Sequence, residues 1–362
     1  MHPPFELDDC FASTFSSARE KFLSSAKALG AEPKSYLHPA TGPNSETLAT
    51  DVADFGDPRA PHVLMLVSGT HGVEGYCGSG LQIAHMRSGL IEKLGTTLTI
   101  KMVHGLNPYG LAYKRRVNEC NVDLNRNFID FCTRPLENTE YCKLHRLLTT
   151  PPTIDGRLRR KLGLAWYIVS KGMRALQTAV TRGQYEYPDG LFFGGASPSW
   201  SRQTWDSILQ DCSANQCVMI IDYHTGLGPR GIGELISPLG EDDPKSWRSR
   251  ATCACFGRNV KNLNESVSAE VSGDLLSYTL LRKDLQIAGV CLEFGTVPAL
   301  KVLDALIDEN WAHHNPSTDK LDALRERLLQ VFTPDDAEWR KAVWNKAFAT
   351  TKSAIEGLTS LR

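Results

Sequence analysis

The feature that most constrains this chain is a short run, His62-Val63-Leu64-Met65-Leu66-Val67, apolar at every position after the first and ending abruptly in Ser68-Gly69-Thr70-His71-Gly72. A strand with one wet face alternates apolar and polar residues. A run apolar at successive positions needs cover on both faces, which puts it in the middle of a sheet with helices on each side. Residues 98–103, 218–222 and 289–293 read as further short strands. Between them lie stretches with helical spacing. In 12–29, Phe15, Ala18, Phe22 and Ala26 recur at that spacing and Gly30 is placed as a stop; 79–90 and 162–180 follow the same rule. Strands alternating with helices predict an α/β fold.

The remaining segments are read by their breakers. Residues 35–37 and 47–52, joined through Gly42-Pro43-Asn44-Ser45, predict an antiparallel hairpin at a sheet edge. Residues 183–195 combine Gly, Pro and aromatic residues, which predicts an ordered loop, either a rim of the site or a structural connection. The tail from Thr318 reads as two helices interrupted at Thr333-Pro334-Asp335-Asp336, where Thr or Asp can cap the second. No repeat or linker divides the chain, so one domain is expected over 1–362, with a core of about 15–345.

Composition excludes several classes. The net charge is -1, without the basic excess of a nucleic-acid-binding domain. The one basic stretch, Arg157-Leu158-Arg159-Arg160-Lys161, reads as a solvated helix face, with steering of an anionic substrate as the lesser reading. No apolar run approaches the ~20 residues that span a bilayer. The start, Met1 to Asp9, lacks the basic and apolar regions of a signal peptide. The ten cysteines form no regular framework, which together predicts reduced thiols in a cytoplasmic protein. Neither nucleic acid nor membrane is expected as a partner.

Four pieces carry chemistry. His71-Gly72-Val73-Glu74 follows a buried strand, and its imidazole and carboxylate can turn to one point. His224 follows another buried strand, in Ile220-Ile221-Asp222-Tyr223-His224-Thr225-Gly226. In open α/β sheets functional groups gather at the carboxyl ends of strands. Two histidines and one carboxylate, with a fourth position open, is the donor set of a catalytic zinc. Asp222 either supports His224 or is structural. Glu293 interrupts an otherwise apolar strand, where a charge is costly unless used. Beside a metal it can take a proton from water and pass it to a leaving amine. Last, Arg115-Arg116 precedes Asn121-Val122-Asp123-Leu124-Asn125-Arg126-Asn127-Phe128. An arginine can hold a carboxylate by paired hydrogen bonds or stabilise an oxyanion.

Taken in chain order, His71 to Glu74, then Arg115-Arg116, then the 121–128 segment, then His224 and last Glu293, the pieces resemble the M14 metallocarboxypeptidase superfamily. The closer resemblance is to its DUF2817 family, carried by the segments 68–75, 107–110, 121–128 and 185–195. The resemblance implies a three-layer α/β/α fold around a central mixed, mostly parallel twisted sheet. It implies one zinc ion per chain held by His71, Glu74 and His224, with Glu293 as general base. It further implies that Asn125 and Arg126 grip a substrate carboxylate and that Arg116 stabilises the oxyanion, with the adjacent Arg115 as the alternative. Tyr278 is the candidate for the tyrosine that digestive carboxypeptidases place over the substrate.

The expected activity is therefore zinc-dependent hydrolysis of an amide or peptide bond next to a free carboxylate, on a small peptide. The pattern around Asn107-Pro108 and Asp123-Leu124-Asn125-Arg126 also resembles aspartoacylase and succinylglutamate desuccinylase, which implies an N-acyl amino acid substrate instead. A non-catalytic binding protein on the same fold is the third reading. A missing ligand or base would favour it, and here all four are present.

Overall fold

The computed structural model describes residues 5–133, 135, 137–213, 216–238, 246–262, 266, 271–316 and 319–361. Of the sequence readings, the first four residues of the chain and the tail's start at Thr318 lie outside the described residues. The first α-helix, α1 (Phe15–Ala28), is followed by an antiparallel hairpin of β1 (Lys34–Thr41) and β2 (Thr47–Gly56). Next come β3 (His62–Val67), α2 (Gly75–Arg87), β4 (Leu98–His104) and the short α3 (Pro108–Ala112). A helical excursion contains α4 (Thr139–Leu148), α5 (Ile154–Lys171), α6 (Met173–Thr181) and α7 (Trp200–Gln210). The chain returns through β5 (Cys217–Arg230), β6 (Gly233–Ser237), α8 (Trp247–Phe256), β7 (Val260–Asn262), α9 (Leu275–Leu280) and β8 (Gln286–Gly295). It ends with α10 (Ala299–His314), α11 (Leu321–Phe332) and α12 (Ala337–Ser360), the last capped by Asp336.

All eight strands share one mixed sheet in the order β1-β2-β4-β3-β5-β8-β6-β7. The four central strands, β4, β3, β5 and β8, run parallel; β1–β2, β2–β4 and β8–β6 pair antiparallel, and the edge pair β6–β7 is again parallel. The apolar run at 62–67 divides by parity. Leu64 and Leu66 pack into the core under α1, α2, α8 and α12, while Val63, Met65 and Val67 pack against α7 and α9. Successive residues of a strand point to opposite faces, so both kinds must be apolar. A third cluster, from α4, α5, α6, α10 and α11, closes over the carboxyl end of the sheet.

Three readings change in detail. The helix expected over 162–180 is two helices, α5 and α6, separated at Gly172 (φ 91°). The basic stretch is not uniformly solvated: Arg160 is fully buried, 2.9 Å from both Asp304 and Asp308 of α10. Strand β5 runs to Arg230 rather than stopping near 222. It follows β8 in register to Thr225, then breaks register before resuming at Arg230 opposite Gly295. The intervening glycines, Gly226 (φ 131°) and Gly228 (φ 100°), supply the backbone freedom for that bulge.

Candidate metal centre

The carboxyl ends of β3, β5 and β8 converge on one point. After β3 the chain turns through His71 to Glu74, the residue just before α2. That turn is clamped: Gly72 N donates to Arg116 O (3.1 Å) and Val73 N to Arg115 O (2.8 Å). A Cβ on residue 72 would lie 2.0 Å from the Gly110 carbonyl carbon, so only glycine permits this approach. The same contact that orients His71 and Glu74 delivers Arg116 beside them.

Glu74 is the hub. Its Oε1 lies 3.0 Å from His71 Nδ1, and its Oε2 lies 3.1 Å from His224 Nδ1 and accepts from Thr225 N at 3.1 Å. The far nitrogen of each imidazole faces a carboxylate: His71 Nε2 is 3.1 Å from Asp123 Oδ1, and His224 Nε2 is 2.8 Å from Asp222 Oδ2. Asp222 is itself fixed by the Thr70 hydroxyl at 2.9 Å. Arg116 donates to Glu74 Oε1 (2.6 Å) and Asp123 Oδ2 (3.0 Å) and reaches His71 Nε2 at 2.9 Å.

Glu293 of β8 stands in register with His224 and is buried. Its Oε1 accepts from Leu227 N, inside the β5 bulge, at 3.0 Å. Burial and then the charge of Glu74 push its carboxyl up to about 7, against His224 and the Leu227 amide. Glu74 behaves oppositely. Burial would raise it too, but His71, Arg116 and His224 together hold it well below the usual range. Two carboxylates in one site are thus driven apart, one ionised and one poised near neutrality.

His71, Glu74, His224, Glu293, Arg116, Asn125 and Arg126 all line a single cavity of about 440 Å³. The structure does not bring Tyr278 there. Its hydroxyl donates to Asp206 (3.1 Å), and its ring packs on Phe128 and under the Arg202 guanidinium. Helix α9 turns that side chain toward α7, so this expectation is corrected. Arg115 is separated from Arg116 just as cleanly: it is fully buried on Glu309 and Asn121, 2.7 and 3.0 Å away. Arg126 gives Nε and Nη2 to Thr181 O and Nη1 to Asn125 O, and Asn125 Oδ1 accepts from Leu275 N.

Two contributions were not read from sequence. Asp123 links His71 to Arg116, and the sequence separation of 52 positions from His71 hides that contact. Phe192, at the unusual φ of 55°, lies 5.4 and 5.3 Å from the guanidinium carbons of Arg116 and Arg126. Its loop is both cavity wall and brace, since Phe193 O accepts from Asp123 N and Tyr185 donates to Arg126 O. The aromatic and glycine content of 183–195 was the available signal.

The residues fit a divalent metal. Donor atoms of His71, Glu74 and His224 lie within 4.8 Å of one another, all buried. His71 Nδ1 makes no hydrogen bond despite its buried position beside Glu74. A nitrogen lone pair left over beside a carboxylate and a second imidazole suits zinc, which takes such donors. Carboxylates on the far nitrogens orient metal-binding histidines in the same way.

Among curated proteins none matches the sequence. Solved structures do match. Bovine thrombin-activatable fibrinolysis inhibitor, in complex with tick carboxypeptidase inhibitor, aligns with a TM-score of 0.50 at 11% identity over 96% of this chain and 97% of that one. A second thrombin-activatable fibrinolysis inhibitor structure aligns at 0.50 and 12% identity, over 96% and 75%. Carboxypeptidase A from Helicoverpa armigera aligns at 0.49 and 12% identity, over 95% and 73%. At such identities the likeness is one of fold, and the fold is carboxypeptidase-like. The family described as "Protein of unknown function (DUF2817)" matches residues 11–346, a span that takes in every strand of the sheet and every residue of the cavity, and the chain belongs to that family.

Proposed function

We propose that this protein is a zinc-dependent hydrolase that cuts an amide bond next to a free carboxylate. The observation that carries this reading is the gathering of three buried metal-donor residues, a poised carboxyl and an arginine around one cavity. His71 Nδ1, a Glu74 oxygen and His224 Nδ1 would hold the ion. Zinc there supplies Lewis acidity, polarising a carbonyl and making water a stronger acid.

The chain's own residues supply the rest. Glu293, with a carboxyl near 7, takes the proton of the attacking water and gives it to the departing nitrogen. Arg116 donates to the carbonyl oxygen as it gains negative charge, a contribution of ~3–4 kcal/mol for a well-placed donor. Asn125 and Arg126 form the carboxylate subsite. Asp123 and Asp222 keep the two imidazoles turned with Nδ1 inward.

The opposite wall is apolar, with Leu176, Val180, Leu303, Leu306 and Phe332 among its residues. It favours a substrate with a bulky apolar group beside the scissile amide. That group is the side chain of a C-terminal residue in a peptide, or the acyl group in the deacylase reading. Parallel assays of C-terminal residue release and N-acyl amino acid cleavage, with metal analysis of the purified protein, test the proposal. Zinc-loaded protein active in the first assay supports the peptidase; activity in the second alone selects the deacylase; a chain that binds no zinc and cleaves neither overturns both. The ten cysteines are free thiols, which suits a reducing cytoplasm.

A further inference from the structure

Helix α5 presents an uncovered apolar stripe. Ile154, Leu158, Leu162, Trp166 and Val169 recur every three or four residues, and all are exposed, Ile154 and Val169 at 87% and Trp166 at 72%. The opposite face, with Leu164 and Tyr167, is the one buried in the domain. Such a stripe is larger than the scattered apolar residues normal for a surface. At 100° per residue, Arg159 and Lys161 fall on the two flanks of the stripe. Both are exposed and neither forms an ion pair among the described residues. Arg174, beyond Gly172, is also exposed, while Asp155, the one acidic residue on the helix, lies on the stripe's own side near its N-terminal end.

We propose that the outer face of α5 docks this protein on an anionic lipid surface. An apolar centre containing tryptophan, edged by basic side chains whose stems can lie along it while their charges stay in water, is the pattern of a helix lying in a membrane interface. The charges decide among occupants. A second copy applied through the same face would set Arg159 and Lys161 against their equivalents, with Asp155 alone to offset them. The stripe runs along the outer side of one helix, a line of exposed side chains that suits a plane better than a peptide. It also adjoins the cavity: Met173, two residues beyond the end of α5, is half-exposed and lines the cavity with Leu300, itself 43% exposed. The docked helix therefore sets the cavity mouth next to the lipid. This revises the expectation of no membrane partner, which rested on the lack of a spanning run; peripheral docking needs none. The docking inference stands apart from the hydrolase reading, and the residues substituted to test it lie outside the cavity.

The test is co-sedimentation of the full-length protein with vesicles of phosphatidylcholine, with and without phosphatidylglycerol. Binding is expected only to vesicles with the anionic lipid, falling as salt is raised. The double substitution Leu162→Ser/Trp166→Ser should weaken partition at least ~10-fold, since two interfacial apolar anchors are lost. Arg159→Glu/Lys161→Glu should abolish the preference for phosphatidylglycerol. All four positions are exposed, and circular dichroism confirms that each variant is folded. Failure of the native protein to bind either vesicle overturns the proposal. So does equal binding by the serine variant. A dimer in sedimentation velocity that the serine variant abolishes, without vesicle binding, assigns the face to a second copy instead. Capture of poly-glutamate but not of vesicles assigns it to an acidic protein.

Discussion

Helix α2 and the residue before it touch four buried histidines, and the two pairs live in different chemistry. His71 and His224 meet Glu74, with Asp123 and Asp222 behind them. His85 meets only hydroxyls, Tyr223 at 3.2 Å and Thr351 at 3.1 Å; His104 meets Ser79 at 2.9 Å and stacks on Phe22. Carboxylates outweigh burial and hold His224 well above the usual imidazole range, whereas burial alone pushes His85 down to about 3, and burial, against the charge of Asp51, takes His104 to about 4. Equal burial thus gives opposite electrostatics, and the partner atoms decide which histidines can serve a cation. Tyr223 and His224 are neighbours on β5, yet the pleat sends one to each region.

The strongest challenge to this contrast is Glu293→Gln. It should lower kcat by ~10³-fold or more while zinc content stays at the native level. Full activity in a zinc-loaded Gln protein would remove Glu293 from the chemistry. Asp123→Asn leaves every ligand in place and changes the carboxylate that stands behind His71 and accepts from Arg116. It should weaken zinc affinity by about 10–100-fold, read by competition with a chelator, and an unchanged affinity would mean that Asp123 serves Arg116 alone. The same logic applied to the other pair gives a different result. His85→Phe should leave zinc content and kcat untouched and lower the unfolding free energy by ~1–3 kcal/mol, because the hydroxyls of Tyr223 and Thr351 lose a partner.

The smallest effect is the most diagnostic of the hydroxyl-bound pair. Their folded-state values lie below the unfolded imidazole value of ~6.5, so the unfolded chain binds more protons in the interval. Their contribution to stability is complete above that value and is lost progressively as pH falls toward 4 and 3. The slope is at most ~1.4 kcal/mol per pH unit per histidine. Urea midpoints between pH 7 and pH 4 measure it, and His85→Phe should flatten the curve. An unflattened curve would place the acid sensitivity elsewhere.

Much of this was legible in the residues. The central strands announce themselves because both parities must be apolar, and His71, His224 and Glu293 stand out because each departs from such a run. What escaped depends on contacts that no local pattern encodes. Tyr278 has a suitable position in the chain order, but the phase of α9 against α7 decides where it points. Arg160 sits in a basic run typical of a wet surface, and only the distant Asp304 and Asp308 make its burial tolerable. Asp123 could be seen as a polar residue of a loop, not as the brace behind a histidine. Gly172 lies inside an uninterrupted helical period, which concealed the division of α5 from α6.

The bulge in β5 carries a consequence for mutational tolerance. In a regular ladder the amide of residue 227 would face the adjoining strand; here it faces Glu293. A backbone donor is common to every residue except proline. Position 227 can therefore vary in side chain, and so reshape the cavity wall that Leu227 helps to form, without surrendering the amide that steadies the carboxyl. Proline scanning and side-chain scanning at this one site should separate cleanly. The acid's surroundings are partly written in main chain, which leaves selectivity free to drift while the protonation chemistry stays put.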